Sequence, residues 1–160
     1  MTTIAWDGRT MAHDTLRTDG WGLKQYEPCK VMEGKDFLLG GAGDWASILK
    51  FQKHVSQMTA TQILDIGYPD YKKDENDPSL LLVTKFGVFT HGAGMWMRVS
   101  RPFHAIGSGR DYALMAMYLG KTAEEAVDLT REFDNDTDAP IIVRELPLCQ
   151  VHCRGLRDGV

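Results

Sequence analysis

The order of strand and helix signals along this chain of 160 residues is the feature that most restricts its fold. Apolar and β-branched runs predict strands in blocks, and these blocks are separated by segments whose apolar residues repeat with helical spacing. Because strands and helices do not alternate one by one, a doubly wound parallel sheet is disfavoured. The pattern instead predicts an α+β chain in which antiparallel sheets lie against helices.

Individual signals give the expected position of each element. Asp7-Gly8 is a two-residue hairpin signal, Asp44 is a suitable N-cap, and Thr122 with Glu125 has the form of a capping box. Residues 57–78 are ambiguous: Ile63, Leu64 and Ile66 are compatible with a last helical turn, and residues 68–78 are typical of a solvated loop. Helices are predicted over residues 45–57, 110–119 and 122–133, and strands over residues 2–6, 9–15, 30–33, 37–40, 80–84, 88–90, 103–106 and 141–144.

Length and composition favour one domain. A chain of this size, with 43% hydrophobic residues and no shift in composition, can bury a single core. We expect one domain over residues 1–160, with residues 146–160 as a C-terminal tail. The net charge of −4 and the scattered basic residues argue against a nucleic-acid partner. No run approaches the roughly 20 apolar residues that a membrane span needs, so no membrane partner is predicted.

The cysteines bear on the compartment and on metal binding. Their number, 3, is small and odd, which is typical of a reducing compartment and predicts a cytoplasmic protein. Cys149, His152 and Cys153 offer three closely spaced metal ligands, but structural zinc sites usually use four. We therefore predict free thiols in the tail and no bound metal.

The first residues can supply an unusual nucleophile. Thr2 directly follows Met1, and a small second residue permits removal of the initiator methionine. Removal would give Thr2 a free α-amine, with a reference pKa of about 7.7–8.0, beside its own hydroxyl. A threonine served by its N-terminal amine is a known nucleophile–base pair. If Met1 were retained, the amine would lie about 3.8 Å further along the chain and Thr2 would lack this base.

Five segments, in their order and spacing, resemble the β-type subunits of the proteasome superfamily, and among these the bacterial HslV-type peptidase and its small homologues. The resemblance covers roughly residues 2–145. It implies an αββα four-layer sandwich, with two antiparallel sheets between helix layers, and an N-terminal-nucleophile hydrolase that uses no cofactor. The segments are Thr2-Thr3-Ile4, Ala12-His13-Asp14, Lys30-Val31, Gly40-Gly41-Ala42-Gly43-Asp44 and Ala105-Ile106-Gly107-Ser108-Gly109.

The resemblance also implies which residues act. His13 departs from the pattern, because relatives usually carry a small residue there, and this change affects the packing beside the acid that follows it. The catalytic threonine falls on Thr2, the acid on Asp14, the lysine on Lys30, the oxyanion-hole glycine on Gly40 with help from Gly41, the supporting serine on Ser108, and, in a loosely aligned stretch, a further acid and hydroxyl on Asp134 and Thr137.

Each of these residues also has a purely structural interpretation. Thr2 would then be an ordinary strand residue, and Asp14 with Lys30 a surface ion pair worth at most about 1 kcal/mol. The glycines from Gly40 to Gly43 would form a tight turn. Ser108 would cap the helix that follows it, with Asp111 three residues on.

The predicted function is that of a threonine-type endopeptidase subunit with Thr2 as nucleophile, acting on polypeptides inside a self-compartmentalising homo-oligomeric ring. The resemblance also allows a separate ATPase unfoldase as a further partner. The chain has no Walker-type phosphate loop of its own, so any use of ATP would have to come from that other protein. Three alternatives stay open: a non-catalytic ring or scaffold protein of the same fold, a small-amide hydrolase with the same nucleophile, and a plain binding module.

Overall fold

The computed structural model describes residues 2–19, 21–27, 29–66, 78–92 and 94–147. Met1, Cys149 and Cys153 lie outside these residues, as does most of the predicted tail. The helices of the described part are α1 (Trp45–Val55), α2 (Ala60–Ile66), α3 (Arg110–Tyr118) and α4 (Ala123–Thr130), and its strands are β1 (Thr3–Trp6), β2 (Thr10–His13), β3 (Leu16–Thr18), β4 (Lys24–Tyr26), β5 (Val31–Glu33), β6 (Phe37–Ala42), β7 (Ser79–Thr84), β8 (Gly87–Gly92), β9 (Met95–Arg98), β10 (His104–Gly107) and β11 (Ile142–Glu145).

The strands form antiparallel sheets, as the sequence predicts. A four-stranded sheet has the order β10-β1-β2-β11, and a five-stranded sheet has the order β5-β6-β7-β8-β9. In the first sheet β1 is central, with Thr3 opposite Gly107 on one side and Ile4 opposite His13 on the other. The start of the chain is therefore held between two strands, which positions the residue that precedes β1.

Three apolar clusters hold the sheets and helices together. The first, which includes Ile4, Met11, Leu38 and Leu81, joins the four-stranded sheet to the five-stranded sheet. Alternate residues of β1 and β2 face the other way, so Ala5 and Ala12 pack with the alanines of α3 and α4. A third cluster joins the five-stranded sheet to α1 and α2. Within the described residues, no helix is long and apolar enough to cross a membrane.

The predicted helix starts are confirmed. The Asp44 side chain accepts a hydrogen bond from Ser47 N at 2.8 Å and caps α1. Thr122 and Glu125 form the reciprocal capping box at the start of α4. A carboxylate oxygen of Asp7 accepts from Ala123 N at 2.8 Å, so the turn of the first hairpin is tied to the start of α4.

Four expectations differ from the structure. The segment after Asp14 continues as the hairpin of β3 and β4, which the sequence did not indicate. Residues 60–66 form the separate helix α2, and β9 adds an edge strand next to β8. The predicted bend from residue 40 does not occur at that point, because β6 continues straight through both glycines to Ala42 and pairs with β7 along its length.

Candidate active site

Thr2 is fixed by its main chain at the start of β1. Its side chain and backbone are 8% exposed, and its carbonyl oxygen accepts a hydrogen bond from Ser108 N at 2.9 Å. Gly107 makes this approach possible: it has a φ of +98°, and a Cβ there would lie 1.7 Å from the Thr2 carbonyl oxygen. The segment before α3 therefore fixes the main chain of Thr2 through this hydrogen bond and the close contact with Gly107.

Thr2 lies between two cavities. The His91–His104 cavity has a volume of about 490 Å³ and is lined by residues of β6, β7, β8 and β10, together with Ser108 and Arg110. The Arg17–Trp45 cavity has a volume of about 380 Å³ and also contains Lys30 and Asp44. Gly43 lines both cavities, as Thr2 does. A chain bound across Thr2 would thus have a recess available on each side.

Asp14 and Lys30 form a buried ion pair beside Thr2. Lys30 Nζ lies 3.0 Å from Asp14 Oδ1 and 3.1 Å from Asp14 Oδ2, and it also donates to the carbonyl oxygen of Leu16. The carboxylate accepts two further bonds, from Thr3 N at 2.9 Å and from Leu16 N at 3.0 Å. Asp14 therefore joins the lysine directly to the backbone that carries Thr2, and the interpretation as a surface pair is wrong.

Burial acts on both members of this pair. It lowers the pKa of the Lys30 ammonium, and the nearby Asp14 carboxylate opposes that effect. Burial likewise raises the pKa of Asp14, and Lys30 together with the Thr3 N–H opposes it. A buried charge is tolerated only when it is paired and hydrogen-bonded, and each charge here has the other as its partner. The arrangement places a lysine with a lowered pKa at the Arg17–Trp45 cavity.

His13 is fully buried next to this pair. Its Nδ1 lies 2.8 Å from the carbonyl oxygen of Asp14 and so carries the proton in that bond. Burial, together with Lys30 and Arg144, lowers the pKa of His13 to about 4, against the opposing effect of the Asp14 carbonyl. Its buried Nε2 has no hydrogen-bond partner among the residues that the structure describes. The ring is therefore neutral at pH 7 and fixes the peptide group that follows it.

A second polar network lies on the Ser108 side of Thr2. Ser108 Oγ donates to Asp134 Oδ2 at 2.6 Å, and Thr137 Oγ1 donates to the same oxygen at 2.7 Å. Thr3 Oγ1 lies 2.6 Å from Thr137 Oγ1. Because the single hydroxyl proton of Thr137 is used on Asp134, Thr3 is the donor in that contact. Ser108 and Thr137 thus bind the Asp134 carboxylate directly, and Thr3 of β1 is linked to it through Thr137.

The charge of Asp134 is well supported. Burial raises the pKa of its carboxyl, but the bonds from Ser108, Thr137 and the Asp136 N–H outweigh this effect and lower the pKa below its usual value. The proposed structural role of Ser108 as a cap of α3 is wrong, since the N-cap is Gly109 and no side chain caps this helix. Ser108 instead uses its hydroxyl proton on Asp134, which leaves it able only to accept from a donor in the His91–His104 cavity.

Gly40 lines neither of the two cavities that Thr2 borders. It is buried in the middle of β6, paired with Val31 on one side and Leu81 on the other, and a Cβ there would meet Ile4 at 3.0 Å. Gly41 likewise faces α1, where a Cβ would meet Ile48 at 2.6 Å. Gly43, with a φ of +122°, is the exposed glycine that borders both cavities. The glycine required by close packing and the glycine that borders the cavities beside Thr2 are therefore different residues.

The structure brings together most of the residues predicted from the sequence. Thr2, Asp14, Lys30 and Ser108 meet around the start of β1, and Asp134 with Thr137 joins them although that stretch aligned loosely. Their spacing supports this pair independently of the alignment, because an acid three residues before a hydroxyl, just after the end of α4, allows a local side-chain bond. Gly43 could have been found as the last glycine before the N-cap Asp44.

Comparisons with known proteins agree with this geometry at the level of the fold. No family model matches the chain, and no curated protein matches it. Solved structures do match: "Thiobacillus denitrificans BPH in complex with Epoxomicin" has a TM-score of 0.69 and 22% identity over 92% of this chain and 99% of that chain. "Thiobacillus denitrificans BPH" has a TM-score of 0.67 and 22% identity over 91% and 98%.

An HslV is also among the similar structures. The eukaryotic HslV from Trypanosoma brucei has a TM-score of 0.65 and 18% identity over 89% of this chain and 97% of that chain. The chain therefore has an HslV-like, proteasome-type fold, in which mixed α and β elements include antiparallel sheets. At these identities the likeness is one of fold, and the chemistry has to be argued from the residues themselves.

Proposed function

We propose that this chain is a threonine-type endopeptidase subunit whose nucleophile is Thr2 once Met1 has been removed. The observation that carries the proposal is the position of Asp14, which binds both Lys30 and the N–H of Thr3. That single carboxylate fixes a buried ammonium and the backbone next to the nucleophile relative to each other. Thr2 and Lys30 also line the same Arg17–Trp45 cavity, where a substrate would meet both.

The chemistry follows from these contacts. The hydroxyl oxygen of Thr2 attacks the peptide carbonyl while its α-amine accepts the hydroxyl proton, directly or through a water molecule. The Lys30 ammonium favours the developing oxygen anion and lowers the pKa of the nearby α-amine, since like charges resist coexisting. The carbon–nitrogen bond then breaks, the leaving amine takes the proton, and water hydrolyses the ester formed on Thr2.

Gly43 takes the role that the sequence assigned to Gly40. It lies at the border of both cavities and has no side chain to block the close approach of an extended substrate, and we assign its N–H to the oxyanion on that ground. Loss of one such donor typically costs about 10²–10³ in rate. Ser108 supports the α-amine from the other side, because its oxygen can accept an N–H while its own proton remains on Asp134.

The assembly, the substrates, the location and the partner of this chain are proposed from the similarity of its fold to the solved structures. Relatives of this shape imply a homo-oligomeric ring in which polypeptide substrates are cleaved inside a closed chamber, and a four-layer αββα subunit is consistent with the three apolar clusters. Ring closure by one chain type requires a heterologous interface. A cytoplasmic location and a separate ATPase unfoldase complete the proposal.

One experiment tests the catalytic claim. Intact mass determines whether Met1 is absent, and hydrolysis of fluorogenic peptides is compared for the wild-type, Thr2→Ser and Thr2→Ala proteins. We expect Met1 to be absent, Thr2→Ser to retain activity and Thr2→Ala to lose it. Equal rates for wild type and Thr2→Ala would exclude Thr2 as the nucleophile.

The same preparation separates the alternatives. Epoxomicin should modify residue 2 of the wild-type protein, and the added mass should be absent from Thr2→Ala. A ring-forming protein with an intact Thr2 and no modification would be a scaffold of the same fold. Cleavage of small amides but not of peptides would identify the small-amide hydrolase.

A further inference from the structure

The His91–His104 cavity has a distinctive composition, and it opens directly beside Thr2. Its volume of about 490 Å³ is large enough for an amino-acid side chain with its adjoining backbone. The cavity is lined by residues of two different sheets, among them Thr90 and His91 of β8 and His104 of β10. A polypeptide held for attack by Thr2 would therefore place a neighbouring residue within its reach.

The charge of this cavity has one sign. Among the described residues that line it there is one permanent cation, Arg110, two histidines and no aspartate or glutamate. Arg101 adds a second cation within electrostatic reach of His104. The Arg17–Trp45 cavity differs, because Asp19 and Asp44 line it together with its basic residues. Of the two recesses beside Thr2, only the first offers cationic and neutral donors without an acidic residue in its lining.

Both histidines are held by the surrounding structure. The His91 ring packs edge-on against Trp96, with ring centroids 5.6 Å apart. His104 is half-buried on β10, opposite Trp6, and burial lowers its pKa, with Arg110 and Arg101 lowering it further. A bound carboxylate would offset the two arginine charges next to His104, and this would favour a hydrogen bond from the imidazole N–H to the carboxylate. Preorganised donors of this kind favour binding, since little side-chain entropy remains to be lost.

Two nearby carboxylates are already engaged. Asp111 lies 3.0 Å from Arg110 Nε in a pair exposed to solvent, and such pairs contribute little. It uses one of the five N–H donors of the guanidinium. Asp134 accepts the protons of Ser108 and Thr137, so its charge is spread over that network. Neither carboxylate lines the cavity, so the only anionic partner described for Arg110 is the exposed Asp111 outside it.

We propose that the His91–His104 cavity binds the carboxylate of an aspartate or glutamate that neighbours the scissile bond of a peptide substrate. Arg110 and His104 are its specificity-determining residues. Arg110 supplies the charge and His104 supplies a directed N–H, while Ser108, which can only accept, stays with the α-amine. The inference rests on the proposed peptidase function for the identity of the ligand as a peptide.

A binding experiment tests the proposal separately from catalysis. Fluorescent peptides that differ only by Glu or Gln at one position are titrated into the Thr2→Ala protein, and anisotropy gives Kd. We expect the Glu peptide to bind about tenfold more tightly than the Gln peptide at low salt, as a single partly desolvated charge contact allows. The combined change Arg110→Gln and His104→Gln should remove that preference, whereas the exposed Arg9→Gln control should keep it.

The possible results separate the two claims. Equal affinity for Glu and Gln peptides, a failure of both to bind, or a preference that survives the double substitution would each overturn this inference. If wild type cleaves peptides without any acidic preference, the peptidase proposal stands and the inference falls. If the Glu preference is present but no peptide is cleaved, the carboxylate site stands and the peptidase proposal falls.

Discussion

Lys30 Nζ and the Asp14 carboxylate are in bidentate contact at 3.0 and 3.1 Å, with the lysine side chain 2% and the aspartate side chain 0% exposed. Removing one member of a pair so fully buried should lower the free energy of unfolding substantially, because the remaining charge would be left without a partner or water. The same contact links the lysine to the backbone of β1 through the bond from Thr3 N. Stability and the proposed catalysis therefore depend on the same side-chain pair, and mutations can separate the two effects.

Replacing Lys30 with methionine should destabilise the protein by about 3–5 kcal/mol, since Asp14 would be left buried without a countercharge. The double change Lys30→Met and Asp14→Asn should recover much of that loss, because no charge remains to be buried. Urea unfolding measures both. Neither variant should hydrolyse peptides, because the ammonium is absent in each. A double variant as active as wild type would remove Lys30 from the mechanism.

Lowering the pH should destabilise the protein through His13. The reference pKa of 6.5 falls to about 4 in the folded chain, so the unfolded chain binds the proton more readily between these values. Stability from this group is therefore fully present above pH 6.5 and is lost as the pH falls towards 4. The loss amounts to about 3 kcal/mol. Urea unfolding from pH 7 to pH 4 should show a shallower decline for His13→Asn than for wild type; parallel curves would contradict this.

Asp134→Asn should reduce peptide hydrolysis with a much smaller effect on folding. Oδ2 of the carboxylate accepts from Ser108 at 2.6 Å and from Thr137 at 2.7 Å, and an uncharged amide oxygen in its place accepts both bonds more weakly. Hydrogen bonds to a charged group contribute about 1.5–3 kcal/mol, so kcat/KM should fall by about ten- to a hundredfold. The same substitution two residues along, Asp136→Asn, serves as the control. Equal effects of the two changes would argue against a role for the Ser108 network.

Alanine at Gly43 and alanine at Gly40 should give different phenotypes. Gly43 has a φ of +122°, where a side chain is strained by about 1–3 kcal/mol, and it borders both cavities. Gly43→Ala should therefore lower activity in the protein that remains folded. A Cβ at Gly40 would meet Ile4 at 3.0 and 3.1 Å, so Gly40→Ala should lower the melting temperature and leave the activity per folded molecule unchanged. The reverse pattern would return the oxyanion role to Gly40.

Local patterns in the sequence were sufficient for the elements that carry strong signals. The Asp44 and Thr122 caps, the hairpin at Asp7-Gly8 and the apolar run of β7 are each determined by neighbouring residues, and each occurs where the sequence predicts it. The hairpin of β3 and β4 escaped prediction because its strands have three residues each and β4 is exposed throughout, so no alternation of apolar and polar residues marks it.

Contacts between distant parts of the chain explain the other differences. Gly40 and Gly41 suggest a bend when read locally, but Ile4 and Ile48 occupy the space beside them and only glycine fits within the paired strand. Ser108 and Asp134 are 26 residues apart, and their bond exists because the segments flanking α3 and α4 return to the start of β1. The order of the motifs was enough to predict that Thr2, Asp14, Lys30 and Ser108 would lie close together. The choice between Gly40 and Gly43 as the glycine of the proposed site required the three-dimensional structure.

The clamp on Thr2 bears on the timing of maturation. Ser108 holds the residue through its carbonyl oxygen, and Asp14 holds the next residue through its N–H, so neither contact uses the α-amine. A chain that still carries Met1 could therefore keep both contacts, and under the proposed mechanism it would be inactive. Removal of Met1 by an aminopeptidase would then be enough to activate the folded subunit, and no refolding would be needed.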